Sequence, residues 1–195
     1  HACNPHAAPQ VASLRVACLR LCAPAAPPWL QRLEAIADAH AIAHHLARDR
    51  RRVIGQRIAD LSDECQELLH VASVEGEQFT AEVVADVLGK DPQRVYDLLS
   101  REAGRYHRLI TAQSLQQIGG QCLSVYRFRH SLFQIYLYNH LDVLEKLRLH
   151  GTIGTALEKY YLKDSHRLAE IAHALAIHFE TAGMIEKAVA NYTLA

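Results

Sequence analysis

The sequence predicts a mostly α-helical chain with one small β-hairpin: three short helices, two strands, then helices to the end. Three observations predict this. Ser62, Thr80 and Asp91 each stand in front of an apolar run, where a side-chain oxygen can accept from the free amides of a helix's first turn. Gly119-Gly120 separates two runs of two-residue periodicity, and glycine permits the positive φ a tight turn needs at both positions. From Ser131 the apolar residues recur at three and four (Leu132, Phe133, Tyr136, Leu137, Leu141, Leu144), which is a helix face.

The totals bound the rest. The 195 residues are half apolar, enough for a core of one large domain or two small ones. Lys plus Arg number 21 and Asp plus Glu 21, so net charge gives no argument for nucleic acid or membrane partners. No apolar run reaches the roughly 18 residues a membrane span needs. Five cysteines (Cys3, Cys18, Cys22, Cys65, Cys122) form neither a disulfide framework nor a zinc pattern, and read as reduced thiols of a cytoplasmic protein. The chain opens on histidine and closes inside a helical pattern, so a piece of a longer protein is expected.

Taken in order, residues 1–28 are rich in Ala, Pro and Cys, lack acids, and read as a poorly ordered end. Arg15 and Arg20 interrupt any signal-peptide core. Residues 29–51 read as a helix of unassigned role, with Leu33, Ile36, Ala37, His40 and His44 on one face. His40 and His44 lie one turn apart, as two ligands of a metal-dependent hydrolase would. Ala41 occupies the position where a zincin carries Glu, and no third ligand is spaced nearby, so ordinary helix histidines are expected.

From Val53 short capped helices follow. Ser62 caps "DECQELLHVASV" with acids in the first turn. Thr80 opens "AEVVADVLG", which Gly89 closes. Asp91 caps a helix whose first position is Pro92, where the missing N–H costs nothing, and which buries Val95, Leu98 and Leu99. The hairpin "HRLITAQSLQQIGGQCLSVYRFRH" completes a winged-helix order, three helices plus a two-stranded wing, over residues 52–130. Residues 131–195 are helical. Residues 131–162 form one long helix or two broken ones, with Gly151 and Gly154 as weak points costing about 1 kcal/mol each relative to Ala. Asp164 or Ser165 caps the next helix, which ends at Gly183, and "MIEKAVANYTLA" forms the last.

The helix pair from Leu168 to Ala195 resembles a tetratricopeptide repeat. Leu175, Ala176, Phe179, Gly183, Ala188, Tyr192 and Ala195 fall at the spacings where that motif places its small and large packing residues. One such pair cannot bury its face alone, so a stable array needs about two more.

Binding of DNA through the winged helix is a second reading. The third helix, Asp91 to Glu102, carries two arginines against three acids, a net of −1, the wrong sign for insertion into a polyanion. The wing is basic instead: from Gly104 to Leu141 there is no acid, while Arg105, Arg108, Arg127 and Arg129 are present. Such a wing suits a phosphate, of DNA or of a bound nucleotide; a solvated wing on an interaction domain has the same composition.

"RVIGQRIADLSDECQELLHVASVEGEQFTAEVVADVLG", the hairpin, "YRFRHSLFQIYLYNHLDVLEKLRLHGTIGTALEKYY" and the repeat-like pair together resemble the STAND signal-transduction ATPases. In these multidomain regulators a P-loop module precedes a winged helix and a repeat array. The resemblance runs from about Arg52 to Ala195. It implies that His130, with Arg129 beside it, is a nucleotide-phosphate sensor. In that family and its apoptotic and plant immune relatives, a histidine of a Met-His-Asp type motif opens the helix after the wing and touches the β-phosphate of ADP. Phe128-Arg129-His130-Ser131 occupies that place, with Ser131 where the acid would stand. The position suits the role, because helix N-termini favour phosphate. No G-x-x-x-x-G-K-[ST] occurs, since Gly89-Lys90 lacks the upstream glycine and the following hydroxyl. The chain is therefore expected to be non-catalytic alone, without a cofactor of its own. ATP or ADP would belong to an upstream nucleotide-binding module in cis, and the repeats would engage a protein partner.

Overall fold

Side-chain caps set the helix boundaries. The computed structural model describes residues 51–195; the readings on residues 1–50, the His40 and His44 pair included, lie outside the described residues. Helix α1 (residues 51–59) buries Ile54 and Ile58. Ser62 then caps α2 (Asp63–Glu75), its Oγ accepting the Cys65 amide at 3.3 Å. The Ser62 amide and hydroxyl in turn donate to the Glu102 carboxylate at 2.6 and 2.9 Å. Ser62→Ala removes the cap and one Glu102 contact, so it is expected to cost about 1 kcal/mol. A urea titration checks this by a lower midpoint at unchanged slope.

Strand β1 (Gln78–Thr80) leads directly into α3 (Ala81–Leu88), where Thr80 occupies the cap position without a side-chain bond. Gly89, at φ 61°, ends α3. Asp91 caps α4 (Pro92–Asp97), accepting the Arg94 amide at 3.3 Å, with Pro92 in the first turn as the sequence predicts. The helix then continues through wide π-type turns over Leu98–Tyr106, which bury Leu98, Leu99 and Ala103.

Strands β2 (Ile110–Ile118) and β3 (Gln121–Phe128) meet at Gly119 and Gly120, whose φ values of 57° and 85° are both positive, as the tight turn requires. The sheet is larger than the expected two-stranded wing. It has three antiparallel strands in the order β1-β3-β2, with Phe79 opposite Tyr126. A three-residue strand is too short to display alternation, and only its pairing with β3 reveals it. Phe79 then packs on Tyr126 and Phe128, ring centroids 5.9 and 5.2 Å away.

The helices after the sheet break where Asp142 caps, not at the glycines. Helix α5 (Ser131–His140) ends at Leu141, and Asp142 Oδ1 accepts the Glu145 amide at 2.8 Å to start α6 (Val143–Tyr161). Gly151 and Gly154, the weak points expected from the sequence, both lie inside α6, so the helix breaks at neither. A Cβ on Gly154 would stand 3.0 Å from a Phe179 ring carbon, so the glycine permits a close helix approach. The break also turns Leu144 outward, 77% exposed, and removes it from the expected apolar face.

Helix α7 (Ser165–Thr181), capped by Asp164, and α8 (Ile185–Leu194) form the final pair, with Gly183 at φ 74° between them. Lys187 joins α8 to Glu158 of α6 at 2.7 Å, and Lys159 joins α6 to Asp86 of α3 at 2.9 Å. One core runs without interruption from Ile54 to Ala188, so the sheet and the terminal helices share their apolar packing. The described part is thus mostly helical with a small antiparallel sheet. Among the described residues, no helix is long and apolar enough to cross a membrane.

Candidate functional site

The joint between β3 and α5 is built by the hairpin's own pairing. Ile110 lies opposite Phe128, and the Arg129 amide donates to the Leu109 carbonyl at 2.9 Å. The segment before β2 and the segment after β3 therefore meet at one end of the sheet. Arg108 stands on the first and Arg129 and His130 on the second, all three exposed. Arg108 has φ 52°, a left-handed conformation that costs a residue with a Cβ about 1–2 kcal/mol. The Leu109 contacts that follow it, a buried side chain and the bond from Arg129, hold the segment there.

His130 is the N-cap of α5. Its Nδ1 accepts from the Leu132 amide at 3.5 Å, a long bond, and its carbonyl accepts from Phe133 at 3.0 Å. In a neutral ring with Nδ1 accepting, Nε2 carries the proton and is a donor. Arg129 Nε donates to the Ile110 carbonyl at 3.3 Å, which fixes the start of its guanidinium. Arg57 of α1, a residue the sequence did not single out, donates to the His107 carbonyl at 2.8 Å. Its guanidinium lies 5.5 Å from the Phe133 ring centre. None of Arg57, Arg108 and Arg129 pairs with an acid among the described residues. Chemically, this end of the sheet offers donors and positive charge at a helix N-terminus, which is an anion's environment.

The expected basic wing is smaller than its composition. Arg127 is held by Glu77, Nη2 to Oε1 at 2.6 Å with Nε also donating at 3.0 Å. Glu77 precedes β1, so the strand missed in the sequence is what brings an acid to the wing. Arg105 is exposed at the end of the π-type turns. In α4, Arg94 pairs with Glu64 at 2.7 Å, and in the turns that continue it Arg101 pairs with Asp97 at 3.6 Å. Both are occupied by their own fold.

Of the predicted repeat-packing residues, Phe179 and Ala188 are buried and Gly183 forms the turn. Tyr192 instead remains 43% exposed, its hydroxyl donating to Glu180 at 2.6 Å. Two histidines the sequence did not flag are buried together: His150 and His178 meet Nδ1 to Nδ1 at 2.9 Å, and Tyr138 bonds His150 Nε2 at 3.1 Å. Burial, and then the neighbouring His150, push His178 down to about 4, so both rings are neutral near pH 7. Among the described residues no cluster of His, Cys, Asp or Glu suits a metal ion. Comparison with protein-family models, with curated proteins and with solved structures returned no match.

Proposed function

We propose that residues 52–195 are the winged-helix and first-repeat part of a STAND-type ATPase regulator, non-catalytic alone. Residues 52–130 would be the winged helix and residues 131–195 the helical region that leads into a tetratricopeptide-like array. The order two helices, strand, two helices and hairpin, with a sheet ordered β1-β3-β2, supports the first assignment. The turn at Gly183 and the buried Phe179 and Ala188 support the second.

The observation that carries the functional reading is the exposed His130 capping α5 beside Arg129 and Arg108. An ADP phosphate presented by an upstream nucleotide-binding module in cis would accept from His130 Nε2 and from Arg129. ATP and ADP belong to that module, and the helical array would relay its state to a protein partner. The test is capture of a separately produced ATPase module on this chain. The ADP-loaded module is expected to be retained and the ATP-loaded module released; equal retention contradicts the switch.

A DNA-binding regulator using Arg105, Arg108 and Arg127 is the weaker reading. The exposure of Arg105 and Arg108 favours it, whereas the ion pairs of Arg94, Arg101 and Arg127 oppose it. It requires duplex binding that weakens steeply with salt.

A further inference from the structure

A cleft of about 360 Å³ opens between the sheet and helices α6 and α7. Phe79, Leu157 and Ile171 give it apolar walls, and Glu75, the last residue of α2, supplies an acid. Glu75 is half-buried, with its Oε2 closed off and without a hydrogen-bond partner among the described residues. Packing alone does not account for such a group, because a methionine fills the same space without an unsatisfied oxygen. Burial pushes Glu75 up to about 8, against the lowering effect of Thr80's amide and hydroxyl, and the Glu82 carboxylate adds a smaller upward push.

The other charged groups around the cleft leave that carboxyl unneutralised. Arg167 and Glu170 of α7 pair with each other at 2.9 Å. His178 is held neutral, down to about 4, and burial raises Tyr161 above its ordinary 10.0. Glu82 is engaged by the Ser124 amide at 2.8 and 2.9 Å and by the Tyr96 hydroxyl.

We propose that this cleft binds a small primary amine, with the ammonium hydrogen-bonded to Glu75 and the alkyl chain lying on Phe79, Leu157 and Ile171. An ammonium brings three donors and no acceptor, which matches an enclosed oxygen lacking a donor. A carboxylate ligand meets repulsion from Glu75 once that group is ionised, and an alcohol lacks the charge. Binding requires the ionised carboxylate, so below pH 8 it displaces a proton from Glu75 while the amine stays charged. This site is separate from His130 and needs no nucleotide.

Calorimetric titration of the full chain with 1-aminopentane tests it. Saturable binding is expected, about tenfold tighter at pH 9 than at pH 7. Glu75→Gln should weaken it at least tenfold, with 1-pentanol and pentanoate binding no better than that variant binds the amine. Should Glu75→Gln fail to fold, Ala174→Trp serves, because Ala174 is an exposed lining residue where an indole would cover the opening. That variant is expected to lose amine binding. No saturable amine binding, equal affinity in the folded variants, or a preference for pentanoate overturns the assignment.

Discussion

Phe179→Ala is expected to destabilise the chain by about 3–5 kcal/mol. Phe179 is fully buried in α7, its ring lies against Gly154 of α6, and the Lys187 ammonium of α8 sits 4.9 Å from the ring centre. Truncation therefore opens a cavity at the meeting point of three helices, where glycine on one side supplies no atoms to fill it. Equilibrium urea unfolding measures the effect, and the continuous core sharpens the expectation. Far-UV signal and the fluorescence of a probe on Cys122, exposed on β3, should fall in one shifted transition. Two separated transitions, with β3 unaffected, would show that the terminal helices pack as an independent body.

The second large effect is on pH. His178 has a folded value of about 4 against an ordinary 6.5. As pH falls between these values, the unfolded chain takes up a proton that the folded chain refuses. Stability is therefore lost from 6.5 down to about 4, by about 3 kcal/mol. His150, also lowered by burial, acts in the same direction. Glu75 has the opposite sign, with a folded value of about 8 against an ordinary 4.5. As pH rises between them the unfolded chain has released a proton that the folded chain retains, so stability falls from 4.5 up to about 8. Between about 4.5 and 6.5 the slope of Glu75 opposes those of His178, His150 and His70, the last also lowered by burial, so stability does not fall with rising pH there, and a descending limb above 6.5 belongs to Glu75. Urea midpoints measured from pH 4 to pH 9 should show that shape. Glu75→Gln is expected to flatten the limb from 6.5 to 8, and an unchanged slope there contradicts the buried-carboxyl assignment.

What the sequence made legible depends on how local the cause is. Ser62 and Asp91 fix their helix starts through bonds to amides three residues on, and Gly119-Gly120 fixes a turn within its own two residues. All three were readable for that reason. The start of α6 carries a signal of the same kind, Asp142 with an acid three positions later, whereas the glycines at 151 and 154 signal a break that the helix does not make. Gly154 is explained by Phe179, twenty-five residues downstream, and Gly151 by Ala182 and Met184 beyond the next helix. Strand β1 was illegible because three residues cannot show a period, and with it went the Glu77 pairing that occupies Arg127. At the candidate site, His130 and Arg129 were visible because they end the strand pattern. Arg57 was not, since α1 reaches the joint through the His107 carbonyl and the Phe133 ring, contacts that span fifty and more residues of sequence. Glu75 resembled any solvated acid at a helix end until the fold enclosed it.

The proposed phosphate-sensing role rests on His130, and one measurement addresses it without relying on fold likeness. The affinity of this chain for the ADP-loaded nucleotide-binding module is compared between the wild type, His130→Ala and Arg127→Ala. A charge-assisted bond lost from His130 is worth about 1.5–3 kcal/mol, so the histidine variant should bind about 10- to 150-fold more weakly. Arg127→Ala, which breaks only an exposed pair with Glu77, should bind as the wild type does. An undiminished affinity in folded His130→Ala would show that the imidazole merely caps α5 and senses no phosphate.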